Sequence, residues 1–126
     1  MNQEVRIERT ALEQFVTNVF LALGLPQEEA SVSAEILVAA DARGIASHGV
    51  GRLWRYENGI RKGIMSGAVS PTILRETPIS LVLDANGAMG MFVSKQTMKK
   101  IIEKARTTGA AFASIRNSNH YGIAGY

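Results

Sequence analysis

The sequence contains no cysteine. That excludes a disulfide framework, a thiolate nucleophile and a zinc–cysteine site, and it fits a reducing compartment. No apolar run approaches the roughly 18 residues of a membrane-spanning helix. Glu4 and Glu8 place acidic charge where a signal peptide would need a cationic and then an apolar stretch. The expected location is therefore the cytoplasm, with no membrane partner. Neither charge sign dominates, since the 126 residues carry a formal net charge of only +3. Lys95, Lys99, Lys100, Lys104 and Arg106 do cluster, but on an amphipathic helical pattern, so a solvated helix face is the better reading and no nucleic acid is expected. The glycine fingerprint of a Rossmann site is missing. Gly49-Val50-Gly51 runs on into Arg52-Leu53-Trp54, Gly87-Ala88-Met89-Gly90 does not complete the pattern either, and no Walker loop is present. No HExxH or similar spacing exists, so no metal site is expected.

The composition is that of a folded domain, 46% hydrophobic, and the length allows one domain or part of one. Thr10-Ala11-Leu12-Glu13 reads as a capping box. Leu12, Phe15, Val16, Val19, Phe20 and Leu23 follow the helical i, i+3, i+4, i+7 pattern, with Gly24 as the stop. Pro26 suits the first turn of a second helix, which runs towards Asp41 and ends near Gly44. Ser47 is placed to cap a third helix from His48 towards Arg61. Beyond a turn-rich connection at Gly63, Gly67 and Pro71, residues 72–75 read as a short strand and Ser80-Leu81-Val82-Leu83 as a firmer one. A helix over 92–107 follows, with Met98, Ile101, Ile102 and Ala105 expected inward and Gly109 as its stop; 110–115 then reads as a buried strand. Strand, helix, strand with short connections predicts a parallel βαβ unit.

Only two histidines are present, and each lies in a short polar run flanked by glycine. His48 sits in Ser47-His48-Gly49-Val50-Gly51-Arg52, and His120 in Asn117-Ser118-Asn119-His120-Tyr121-Gly122. If a helix starts at His48, then His48 and Arg52 share one face. Ser47 would lie at the positive helix end, where a carboxylate ligand is favoured. Arg52 could grip that carboxylate bidentately, and His48 could exchange a proton with the neighbouring oxygen. His120 follows the second strand of the βαβ unit, where ligands of open α/β sheets gather. Each residue also has a plain structural reading. Ser47 would serve as a cap, His48 and Arg52 as surface groups, Asn117–Asn119 as a turn, and His120 and Tyr121 as packing.

The segments 40–53, with Tyr56 and Gly63 after them, then Asp84-Ala85-Asn86-Gly87, then 117–126, together carry a resemblance. The chain resembles the malate/L-lactate dehydrogenase family, the type 2 or sulfolactate dehydrogenase-like group. The resemblance implies an α/β fold: N-terminal helices followed by a βαβ unit of a larger mixed sheet, with a non-Rossmann nucleotide-binding architecture. It implies a helical segment over 1–70 carrying substrate and acid–base residues, and the start of the nucleotide-binding domain over 71–126. The implied activity is hydride transfer between NAD or NADP and a small 2-hydroxy or 2-keto acid. Ser47 and His48 would form a proton relay, Arg52 would hold the carboxylate, and His120, Tyr121, Gly122, Ile123 and Ala124 would lie against the cofactor. Some members assign the acid–base role to the histidine matching His120, so two histidines compete for it. Members are far longer, so the chain is expected to be an N-terminal portion, inactive by itself, of an enzyme that works as a homodimer. Asn86 departs from the aspartate common in members, with only a local turn effect expected. The alternative from the residues alone is a small basic helical module that binds nucleic acid or protein.

Overall fold

The computed structural model describes residues 5–126, so Glu4 lies outside the described residues. Four helices and three strands follow in the order α1 (Arg9–Ala22), α2 (Gln27–Ala42), α3 (Leu53–Arg61), β1 (Thr72–Glu76), β2 (Ser80–Asp84), α4 (Gly90–Thr108) and β3 (Phe112–Arg116). Two 3-10 turns, Ala46–His48 and Val50–Arg52, join α2 to α3.

The start of α1 differs from the capping-box expectation. Glu8, not Thr10, is the N-cap, and its carboxylate accepts the backbone N–H groups of Thr10 and Ala11 at 2.9 and 2.7 Å. A carboxylate is the stronger acceptor at the positive helix end, so Thr10 is carried into the helix itself. The expected stops hold. Gly24, Gly44 and Gly109 have φ of 90°, 74° and 84°, conformations that resist a side chain.

α2 is buried on nearly every side. Ala30, Ala34, Ile36, Leu37 and Ala40 are at most 2% exposed, and small residues alternate with large ones along it. A helix buried on most of its sides must lie at the centre of the layers. Val16 and Phe20 of α1, Tyr56 of α3, and Met89 and Met91 at the start of α4 close the same core. The segment that begins the α/β part is thus fastened to the helical part by its two methionines.

β2 lies in the middle of the three-stranded sheet. It pairs antiparallel with β1, with a register shift between Ile73 and Arg75, and parallel with β3 through the α4 crossover. The predicted βαβ unit is therefore present, extended by a hairpin strand into a mixed sheet. The inward positions are only partly as expected. Ile101 is buried against Leu81 and Leu83, but Met98 and Ile102 are 57% and 46% exposed. β3 is mostly exposed as well, where a buried strand was expected. Periodicity marks an apolar face; it does not say that anything covers it.

Candidate active site

β2 and β3 run parallel with Asp84 opposite Arg116, so their carboxyl ends and the loops beyond them emerge together. Asp84 fixes this corner. Its carboxylate accepts the Asn86 N–H, Arg116 Nε and Asn117 Nδ2, each at 2.8 Å, and these donors hold its pKa below the usual carboxylate range. Asn119 then donates its amide to the carbonyls of Gly87 and Ala88 at 2.6 and 3.2 Å. The loop carrying His120 is thereby laid across the entrance of α4. The fit is close: a Cβ on Gly90, the first residue of α4, would stand 2.0 Å from the Asn119 carbonyl oxygen. Asn86 does more than shape a turn. Its side-chain amide reaches the Ser70 carbonyl and Thr72 Oγ1 at 3.0 and 2.9 Å, tying the loop to the approach of β1.

The other half of the site departs from the expected helix. Ser47 does not cap α3, which begins at Leu53. Gly49 breaks the path with extended backbone (φ −90°, ψ −158°), leaving His48 in one 3-10 turn and Arg52 in the next. The cause is Asp41, near the end of α2. Its carboxylate accepts the Val50 N–H at 2.8 Å and packs so tightly on Gly49 that a Cβ there would sit 1.8 Å from Oδ1. His48 and Arg52 therefore do not share a helical face. They are joined through Ser47 instead: Ser47 Oγ pairs with His48 Nδ1 at 3.0 Å, and Arg52 Nε donates to the Ser47 carbonyl. The dipole of a long helix is no longer available to Ser47, but the proximity of hydroxyl, imidazole and guanidinium survives.

The two histidines, 72 positions apart in sequence, meet with ring centroids 5.3 Å apart. Tyr56 completes the group. It is 2% exposed, its ring meets Phe20 edge-on at 6.1 Å, and its hydroxyl lies 2.8 Å from His120 Nδ1. Burial pushes the Tyr56 pKa up, against the nearby Arg52. Burial also pushes the His120 pKa down, reinforced by Arg52, His48 and Arg55. The sequence pattern does not mark Tyr56 as a site residue. Besides its place in the family resemblance, its signal is the rule that a tyrosine buried at the ring still needs a partner for its hydroxyl.

On the other side of the His120 loop, a groove of about 890 Å³ runs between α4 and β3, lined by Tyr121, Ile123 and Ala124 together with Met98, Ile102 and Phe112. His120 and Gly122 point away from it. His120 turns towards His48 and Tyr56, and Gly122 (φ 88°) backs onto Ile36, whose Cγ2 would stand 2.4 Å from an added Cβ.

The basic face of α4 is partly committed within the chain: Lys95 pairs with Glu35 at 2.8 Å and Lys104 with Glu76 at 2.6 Å. Among the described residues no group of acidic or histidine side chains could hold a metal ion, and no helix is long and apolar enough to cross a membrane.

Known proteins are similar to this chain over nearly its whole length. The malate dehydrogenase of Pyrococcus abyssi is 48% identical over 122 residues, which cover 97% of this chain and 34% of that protein. The ureidoglycolate dehydrogenase (NAD(+)) of Escherichia coli is 35% identical over 97% of this chain and 35% of its own length. The solved structure of malate dehydrogenase from Pyrococcus horikoshii superposes with a TM-score of 0.95 at 42% identity, again over 97% of this chain and 35% of the other. The chain thus spans about a third of the length of the curated relatives it matches. None of these similarities supports a nucleic-acid-binding module. The malate/L-lactate dehydrogenase model matches residues 7–126, and the chain belongs to that family.

Proposed function

We propose that this chain is the N-terminal portion of an NAD(P)-dependent oxidoreductase that interconverts a 2-hydroxy acid and its 2-keto acid. The observation that carries the reading is the meeting of His48 and His120, with Ser47 and Arg52 joined beside His48. Two titratable rings, a hydroxyl and a guanidinium in one place are what a carboxylate-bearing carbonyl substrate needs. The names of the relatives, malate and ureidoglycolate dehydrogenase, fit this substrate class.

Arg52 spends its Nε on the Ser47 carbonyl. Its two Nη groups are left to take a substrate carboxylate in the paired geometry that guanidinium favours. His48 stands next to the carbon bearing the oxygen and moves the proton. In its imidazolium form, Nδ1–H donates to Ser47 Oγ, and Nε2–H faces the developing alkoxide. Proton transfer to that oxygen neutralises the charge that hydride addition creates.

The groove beside the His120 loop suits a nicotinamide dinucleotide. Its volume lies within the range of small-molecule sites, and Tyr121, 53% exposed, offers an aromatic face there. Tyr121, Ile123 and Ala124 would hold the cofactor on its lining, while the backbone of His120 and Gly122 sets the wall between cofactor and substrate. Bound there, the nicotinamide supplies or accepts the hydride. The full-length enzyme is proposed to be a cytoplasmic homodimer.

The test is kinetic, in a protein of the relatives' full length. With oxaloacetate, pyruvate and glyoxylate as substrates, His48→Ala is expected to lower kcat by about 10²–10⁴. Near-normal turnover would remove His48 from the mechanism, and the parallel His120→Ala measurement would then show whether the other ring carries the proton. Absence of nicotinamide-dependent turnover on every 2-keto acid tried would sink the reading as a whole.

A further inference from the structure

His120 Nδ1 has two neighbours on one lone pair. The backbone N–H of Gly122 points at it from 3.2 Å, and the Tyr56 hydroxyl lies at 2.8 Å. A backbone amide can only donate, so Nδ1 carries no proton. The Tyr56 hydroxyl must then donate as well. We infer that Tyr56 and the Gly122 amide lock His120 into the neutral tautomer with its proton on Nε2, making Tyr56 a positioning residue that acts through His120. Its use in catalysis rests on the dehydrogenase reading; the lock itself does not.

The lock is built from parts that cannot easily move. Tyr56 is 2% exposed and held edge-on by Phe20, so solvent has little access to replace its hydroxyl. Gly122 aims its amide from a left-handed conformation and lies against Ile36, a position closed to any side chain. The charged and titratable groups acting on the ring are Arg52, His48 and Arg55, and each opposes a further positive charge. Adding a proton at Nδ1 would reverse the Tyr56 hydrogen bond and set one N–H against another at Gly122. A neutral Nε2–H form is therefore favoured on both sides of the ring.

This divides the work between the histidines. His120 offers a fixed Nε2–H donor and polarises a substrate oxygen without giving up the proton. His48, 5.3 Å away and paired with a serine hydroxyl that can act as donor or acceptor, is left to move the proton. A buried tyrosine thus decides what the neighbouring histidine does.

Nitrogen-15 spectroscopy of the 126-residue protein, labelled at histidine, tests the lock without substrate or cofactor. It can therefore succeed or fail independently of the dehydrogenase reading. The expected His120 signals are those of a single neutral Nε2–H imidazole, with a titration midpoint below the ordinary histidine value of about 6.5. In Tyr56→Phe, which keeps the ring on Phe20, the midpoint should move upward and the tautomers should begin to mix. If that variant does not fold, 3-fluorotyrosine incorporation serves instead: its stronger hydroxyl donor should move the midpoint downward. An Nδ1–H or mixed tautomer in the unaltered protein would overturn the inference. So would a midpoint indifferent to both changes at Tyr56.

Discussion

Replacing Gly90 with alanine tests the joint between the two halves of the site, because the competing effects differ in sign. Gly90 opens α4, and in an unobstructed helix a glycine-to-alanine change stabilises by about 0.4–1 kcal/mol. Here the new Cβ would lie 2.0 Å from the Asn119 carbonyl oxygen, 2.7 Å from that of His120 and 2.8 Å from the Asn119 carbonyl carbon. These are backbone atoms, so no rotamer change relieves the contact, and the 119–120 segment must move by about 1 Å or more. That segment is not loose. Asn119 holds the Gly87 and Ala88 carbonyls, and His120 is held by Tyr56 and Gly122. Overpacking of this kind costs about 1–3 kcal/mol. The net expectation is a loss of about 1–2 kcal/mol, read in urea as a midpoint lowered by roughly 0.5–1 M. Gly51→Ala is the control, since nothing lies within 4 Å of its added Cβ and its backbone is not left-handed; it should be neutral or slightly stabilising. The variant should also disturb the His120 nitrogen signals. Gly90→Ala as stable as the parent, with those signals unmoved, would show that the close approach across α4 does not fix the loop.

Other consequences are open to measurement. Glu29 is 4% exposed and accepts the Ala68 N–H at 2.9 Å; burial raises its pKa, opposed by that hydrogen bond. The folded state therefore favours the protonated carboxyl, and the parent protein loses stability as pH rises from the unfolded value of about 4.3 through the raised folded value. Glu29→Gln keeps an acceptor for Ala68 without the charge, so its urea midpoint should exceed the parent's at pH 7 and converge with it near pH 4; a gap that widens on acidification would contradict this. Arg52→Lys, in a protein of full family length, should lower kcat/KM by about 10–100-fold, mostly through KM, because lysine cannot serve the Ser47 carbonyl and pair with a carboxylate together; an unchanged KM across several 2-keto acids would make Arg52 structural. The 126-residue chain, with Met98, Ile102 and Phe112 exposed around an open groove, should self-associate in light scattering and show no turnover with NADH or NADPH. A stable monomer would refute the first expectation, and measurable turnover the second.

What the sequence made legible was set by the range of the interactions. The α2 and α4 stops were readable because a left-handed glycine is a local requirement, and the βαβ unit because two strands with a short crossover leave one arrangement. Ser47 does not cap a helix because the deciding partner, Asp41, is outside the local pattern: it takes the Val50 N–H and packs against Gly49, where the backbone is extended. At the start of α1 a carboxylate two residues before Thr10 outcompeted a hydroxyl that matched the motif. Met98 and Ile102 sit where the period places them, yet sequence periodicity cannot show whether a face is covered. Tyr56 was hardest to see. Its partner is 64 residues away, and only the folded core brings the hydroxyl to the ring.

The pairing of His48 with His120 also bears on why the chain keeps two imidazoles in one site. Two equivalent rings at 5.3 Å would compete for a single proton. The surroundings remove that equivalence. His120 is held between two donors, partly withdrawn from water and facing two arginines, so its charged form is disfavoured from every direction. His48 lies in a solvent-facing 3-10 turn beside a hydroxyl that can donate or accept. On the proposed reading, His48 carries the proton and His120 holds a fixed dipole. On that argument Tyr56 and Gly122 are as much a part of the site as the histidines, although neither need touch substrate. A change at Tyr56 should be read first in the protonation of His120, and only through it in the rate.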